Sequence, residues 1–176
     1  IQTYPSISWS TDMASTYNKT RSEAIAYSIA HPTTFITKLT WFIDGAFNLW
    51  NPDKKTVFDP CPEGYRVARH SFMYNFFKTS ATTTPNVKGD YNLGYDFYYQ
   101  GQGSGNTDFY PSTGQRYDSG KLMHTCGLNK WDWGFYWTST VNSNPYYNQF
   151  RSGYITAYGY TTSTANGHLV RCVREN

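Results

Sequence analysis

The apolar positions of this chain fall into a helical period once, near the start, and into a strand-like alternation towards the end. Thr20-Arg21-Ser22-Glu23 fits a capping box, with Thr20 as N-cap and Glu23 reaching back to the free backbone N–H. Ala24, Ile25, Tyr27 and Ile29 follow, and Pro32 ends the segment within a turn. The apolar, β-branched stretch from Thr33 to Leu39, then Trp41-Phe42-Ile43, predicts one strand followed by a packed loop. Leu49 to Asp53 is turn chemistry, Thr56-Val57-Phe58 a short strand, and Ser71 to Phe77 a second short helix capped by Ser71. Its Phe72, Tyr74 and Phe76 are available for packing.

From Thr79 to Gln115 the regular signals give way to loops, with Tyr95 to Tyr99 the one strand between them. Loops of such length inside a domain are uncommon and usually functional. Beyond Trp131 the pattern becomes strand, turn, strand. Phe135 to Thr140, Tyr146 to Phe150, Thr156 to Tyr160 and His168 to Val173 predict an antiparallel meander joined by Asn- and Gly-bearing turns. No internal repeat or linker divides the chain, so residues 1–176 read as one domain of α+β class.

Composition narrows the class further. Aromatics make up 19% of the 176 residues and charged residues only 15%. Such a chain is neither disordered nor a helical bundle. The net charge of +3, with no Lys/Arg block, gives no reason to expect nucleic acid. No apolar run approaches the roughly 20 residues that would span a bilayer. A start at Ile1 without Met reads as a mature or excised fragment. Abundant Tyr, Thr, Ser, Asn and Gly suit a secreted or surface-displayed module, and three cysteines are compatible with one disulfide and one spare thiol.

Three ordered stretches carry a family likeness: Thr56-Val57-Phe58-Asp59-Pro60-Cys61-Pro62-Glu63-Gly64-Tyr65-Arg66-Val67, Gly134-Phe135-Tyr136-Trp137-Thr138-Ser139-Thr140, and Gly167-His168-Leu169-Val170-Arg171-Cys172-Val173-Arg174. Ile29 to Phe35, followed by Leu49-Trp50, adds a lead-in. Together they resemble the FISUMP (major paralogous) domain of bacterial surface lipoproteins and fimbria-associated proteins, over roughly residues 29 to 176. The sequence departs from that pattern after Val67, where Ala68-Arg69-His70-Ser71-Phe72-Met73 replaces the family's usual helix start. The resemblance implies a C-type lectin-like fold with short helices, an antiparallel sheet and long irregular loops. It implies a Cys61–Cys172 disulfide with Cys126 left free; the alternative is three buried reduced thiols. On the same reading Tyr136 and Trp137 belong to the core and Arg171 is solvated or paired within the protein.

Catalytic patterns are weak. Gly-x-Ser-x-Gly is missing, and His31, His70, His124 and His168 have no metal-pair spacing. His124 and Cys126 lie two residues apart, but a chance loop pairing explains them better than a nucleophile does. The formylglycine-generating relatives use two closely spaced cysteines near the C-terminus, and only Cys172 stands there. The sugar-binding calcium loop of true C-type lectins has no counterpart either: Trp131-Asp132-Trp133 is a faint echo, and one carboxylate is too few for the ion. The expectation is therefore no enzyme, no metal and no cofactor.

What remains is a binding surface. Trp131, Asp132, Trp133, Asn142, Asn144, Tyr146 and Tyr147 are candidates, followed by Asn148, Gln149, Arg151, Tyr154, Tyr158 and Tyr160. Rings and small polar groups are what a paratope uses, and Tyr and Trp also stack on sugars. The alternative is that these rings pack a loop-rich core. Relatives of this fold also serve as variable proteins of diversity-generating retroelements, which mutate Asn and Tyr codons near the C-terminus. The stretch from Lys130 to Asn166 resembles such a region. The expected role is a non-catalytic adhesin module at a bacterial surface or pilus tip, attached to an upstream domain or pilus subunit. Its partner would be a host or bacterial glycan or protein. The competing role is a structural fimbrial or envelope subunit whose aromatics make subunit contacts.

Overall fold

The computed structural model describes residues 13–15, 19–37, 49–77, 85–123, 132–141, 144–156 and 160–174, with backbone alone at 13–15, 74, 75, 160 and 161. Strand β1 (Met13–Ser15) lies parallel to β2 (Phe35–Thr37), and helix α1 (Arg21–Ala30) connects them. The helix begins as its capping box dictates. The Thr20 N–H donates to Glu23 Oε2 at 2.8 Å, and the Glu23 N–H donates to Thr20 Oγ1 at 3.4 Å. His31 N–H closes on the Tyr27 carbonyl ahead of Pro32. The strand expected over Thr33 to Leu39 is realised at Phe35–Thr37, while Leu39 and Trp41 to Ile43 lie outside the described residues.

Thr56 to Phe58 is a turn rather than a strand. The Thr56 hydroxyl bonds to the Leu49 carbonyl and Trp50 Nε1 donates to the Phe58 carbonyl, so the segment curls back on itself. The turn delivers Asp59, whose buried carboxylate accepts from Lys55 Nζ, from the Cys61 N–H and from the Val67 N–H. Cys61 is thereby set beside Cys172, and the two are joined in a disulfide with Cα atoms 5.6 Å apart. Immediately afterwards β3 (Tyr65–Val67) forms; its antiparallel partner is the last strand of the chain.

Helix α2 (His70–Phe77) starts one residue before the expected Ser71 cap, because the His70 N–H is taken by the Thr140 hydroxyl at 3.0 Å. Met73 and Phe77, one turn apart, are buried; Phe76 packs at the margin of the same cluster. Asn86 pins the segment after the helix to a neighbouring strand, donating to the Phe76 and Tyr98 carbonyls. That strand belongs to an antiparallel meander of β4 (Val87–Lys88), β5 (Gly94–Tyr98) and β6 (Thr107–Pro111). The Gly101-to-Asn106 loop is the expected loop, but Thr107 to Pro111 is a strand where only loop was expected. Phe97 and Tyr110 carry that meander into the core against Phe77.

After the short hairpin of β7 (Gln115–Arg116) and β8 (Leu122–Met123) comes the main sheet. It consists of β9 (Gly134–Val141), β10 (Pro145–Arg151), β11 (Tyr154–Ile155) and β12 (Tyr160–Thr161). β10 pairs with β9 along one edge and with β11 and β12 along the other, all antiparallel. Of the strand expected over Thr156 to Tyr160, Thr156 follows β11 and bonds to the Gln149 carbonyl, Tyr160 begins β12, and residues 157–159 lie outside the described residues. The expected terminal strand is likewise divided. Leu169 bridges Tyr136 in parallel, and only β13 (Cys172–Arg174) pairs as a strand, with β3. The protein is thus α+β, with two helices among the described residues and its strands in several small, mainly antiparallel sheets. Among the described residues no helix is long and apolar enough to cross a membrane.

Candidate functional site

Both faces of β9 are buried from Gly134 to Ser139, and the faces of the β9–β10 pair differ along β10, where alternation buries Asn148 and Phe150 and leaves Tyr147, Gln149 and Arg151 partly exposed. Tyr136 on β9 and Asn148 and Phe150 on β10 point into the core, where Phe150 meets Phe77, Tyr95 and Phe97. Phe135 and Trp137 share the other face with Tyr147, Gln149 and Arg151, in the register Gln149 to Phe135 and Tyr147 to Trp137.

This register brings part of the expected binding set together. The Arg151 guanidinium sits 5.1 Å from the Trp133 ring centroid and 5.3 Å from that of Tyr154. Trp133 meets Tyr154 edge-on at 5.7 Å and stacks on Phe135 at 5.8 Å. The Tyr91 hydroxyl donates to the Asp132 carbonyl at 3.0 Å, tying the strand's approach to the body of the protein. A cation between two aromatic faces, all partly open to solvent, forms a rigid, amphipathic patch. Gln149 lies beside it, partly exposed.

Other members of the set are separated from this patch. Asn148 is a correction: it is 0% exposed, because the pleat turns it inward opposite Tyr136. Both Asn148 side-chain polar atoms are buried without a hydrogen-bond partner. Tyr146 stacks on His70 at 5.0 Å, away from the Tyr147–Arg151 face. Asn144 is exposed at the turn leading into β10. Tyr160 pairs with Tyr147 through β12, and only its backbone is described. Trp131, Asn142 and Tyr158 lie outside the described residues, as do His124 and Cys126.

Tyr136 and Trp137 are buried, and the Arg171 side chain is spent within the protein. Its guanidinium pairs with Asp108 at 2.9 Å, donates to the Phe109 carbonyl and lies 4.3 Å from the Tyr110 ring centroid. Burial pushes the Tyr110 phenol up to about 12 despite that cation.

Sequence reasoning passed over His168. Its ring lies 4.2 Å from Trp137 and 5.3 Å from Phe135, both stacked, and 4.7 Å from Tyr147. Nε2 is 2.7 Å from Gln115 Oε1; since that oxygen only accepts, Nε2 carries the proton and Nδ1 is a bare acceptor. Burial among rings holds the imidazole down to about 3, so it is neutral in any ordinary medium. The available signal was a lone imidazole next to Gly167 in an otherwise apolar closing segment.

Among the described residues no three His, Cys, Asp or Glu side chains gather as a metal site. Compared with known protein families, curated proteins and solved structures, the chain matches none.

Proposed function

We propose that this protein is a non-catalytic ligand-binding module of a bacterial cell-surface or pilus-tip adhesin. In this reading it has a C-type lectin-like fold of the FISUMP type, works outside the cell, and engages a glycan or protein through the Trp133–Arg151–Tyr154 face of its main sheet. The observation that supports the reading is the Arg151 guanidinium held between the Trp133 and Tyr154 rings. Planar rings with a fixed cation and a neighbouring amide suit a sugar or a polar peptide, since stacking supplies area while Gln149 and Arg151 supply hydrogen bonds. Retroelement diversification would then act on outward positions such as Tyr147 and Gln149, and spare inward Asn148, whose volume the core requires.

A glycan and host-protein array, run with and without calcium, tests this proposal on the purified protein. The expected result is a reproducible hit lost in Tyr154→Ala and weakened in Arg151→Lys, with the melting temperature nearly unchanged because Tyr154 is 36% exposed. No hit, combined with concentration-dependent self-association, would replace the adhesin by the structural fimbrial subunit. A hit indifferent to both substitutions would move the site elsewhere.

A further inference from the structure

We propose that the groove between the β4–β5 turn and the β10–β11 turn is a second subsite of the Trp133–Arg151–Tyr154 face, and that it takes a sugar ring through two neighbouring hydroxyls donated to Asp90. The inference rests on that face being the binding surface, and it narrows the ligand from a glycan or protein to a glycan.

Two connections form the groove. Gly89 to Leu93 joins β4 to β5, and Ser152 with Gly153 joins β10 to β11. Asp90, Tyr91, Tyr95, Ser152 and Tyr154 are among the residues lining a volume of about 440 Å³, within the range of small-molecule sites. Tyr154 also holds the Arg151 guanidinium 5.3 Å from its ring centroid, so groove and face are continuous. The Tyr95 hydroxyl donates to the Arg151 carbonyl at 3.4 Å and accepts from the Gly153 N–H at 3.2 Å, which ties the second turn to β5. Tyr91, in the first turn, is fixed by its bond to the Asp132 carbonyl. Leu93 has φ of 54°, a left-handed conformation that a leucine keeps only where its surroundings impose it. Its carbonyl is held by the Ser112 N–H at 2.9 Å. The turn that carries Asp90 is thus set in one shape before any ligand arrives.

Asp90 is exposed, and it is the one charged residue among the described lining residues. Among the described residues its carboxylate makes no ion pair or hydrogen bond, and the exposed Ser152 hydroxyl makes none either. An ionised carboxylate only accepts, so the ligand must donate. Two oxygens can take the hydroxyls of adjacent ring carbons, while Ser152 can give or accept. Tyr154 offers a flat apolar surface for the C–H face of the same ring. Arg151 stands at that tyrosine too, so a ligand running past it meets one charge of each sign and gains little from a net charge of its own. A neutral polyol satisfies both groups, donating to Asp90 and accepting from Arg151.

An array of defined oligosaccharides, amino glycans and host proteins tests the subsite. It is probed with the whole chain before and after mild periodate oxidation and borohydride reduction of the immobilised glycans. Periodate cleaves the bond between carbons that carry adjacent hydroxyls and so destroys the group assigned to Asp90. The expected result is a set of oligosaccharide hits that periodate abolishes. Asp90→Asn should weaken them about tenfold, since a charged acceptor is lost while an exposed side chain keeps its shape and the melting temperature stays the same. Hits lost in Tyr154→Ala but unchanged in Asp90→Asn would overturn the subsite and leave the face standing. Hits indifferent to both substitutions would remove the face and the subsite with it. Binding confined to amino glycans or basic proteins would make Asp90 a site for a cation and overturn the proposal, as would the absence of any glycan hit.

Discussion

The rings of His168 and Trp137 lie 4.2 Å apart with their planes inclined by 30°, and the imidazole is closed in further by Phe135 and Tyr147. Protonation there would place a cation among rings with little water. The group titrates near 6.5 when unfolded and only near 3 when folded. Between those values the unfolded chain binds the extra proton, so stability falls as pH drops, by about 1.4 kcal/mol per pH unit from this residue. His70, also lowered by burial, acts in the same direction. Urea unfolding at pH 7, 6, 5 and 4 should show this acid loss in the native protein, and a smaller one in His168→Phe. Parallel pH profiles for the two proteins would refute the assignment.

Asn148 places two unpaired polar atoms in the core beside Tyr136. Asn148→Leu is nearly isosteric and removes both. It should raise stability by about 1–2 kcal/mol, seen as a higher urea midpoint at unchanged slope. Loss of stability would mean that the amide has a partner worth more than its desolvation.

Gly134 on β9 stands opposite Phe150 on β10. A Cβ added there would sit 2.5 Å from the Phe150 ring, which is fully buried and boxed by other aromatics. Gly134→Ala should therefore cost about 1–3 kcal/mol by overpacking. The double substitution Gly134→Ala with Phe150→Leu should regain part of that loss, and a purely additive double variant would argue against the clash.

Asp59 accepts from Lys55 and from two backbone N–H groups in the segment that leads to Cys61 and β3. Asp59→Ala strands the Cys61 and Val67 N–H groups, while Lys55 Nζ keeps the Cys61 and Tyr65 carbonyls, and should cost about 3 kcal/mol. Its oxidative refolding should also give more mispaired or free thiols, measured by thiol titration after refolding. A variant with native thiol content and native stability would show that the turn holds Cys61 in place without the carboxylate.

Local chemistry was readable where one residue decides the outcome. The Thr20–Glu23 box needs only its own four residues, and it forms as written. The start of α2 was misread because its first N–H is satisfied by Thr140, far away in sequence. Thr107 to Pro111 was missed for a related reason. Its Asp, Thr and Pro look like loop residues, yet five consecutive register pairs with β5 hold it extended. In the candidate site, alternation along β10 was legible in the sequence, but which face is outward was not. That choice is set by the partners on each side, Phe77 and Tyr95 against one and His168 against the other. Tyr146 and Asn148 were therefore grouped with Tyr147 and Gln149, although they belong to the opposite face.

The bridge between Cys61 and Cys172, at a sequence separation of 111, also defines a route for mechanical load. Tension applied upstream of the first cysteine and downstream of the second passes through one covalent link. The intervening meander and main sheet, with the Trp133–Arg151–Tyr154 face, hang from that link as an untensioned loop. Pulled in this way, the protein would keep that face in shape at forces that extend an unbridged domain, and reduction of the disulfide would release the whole loop as added contour length.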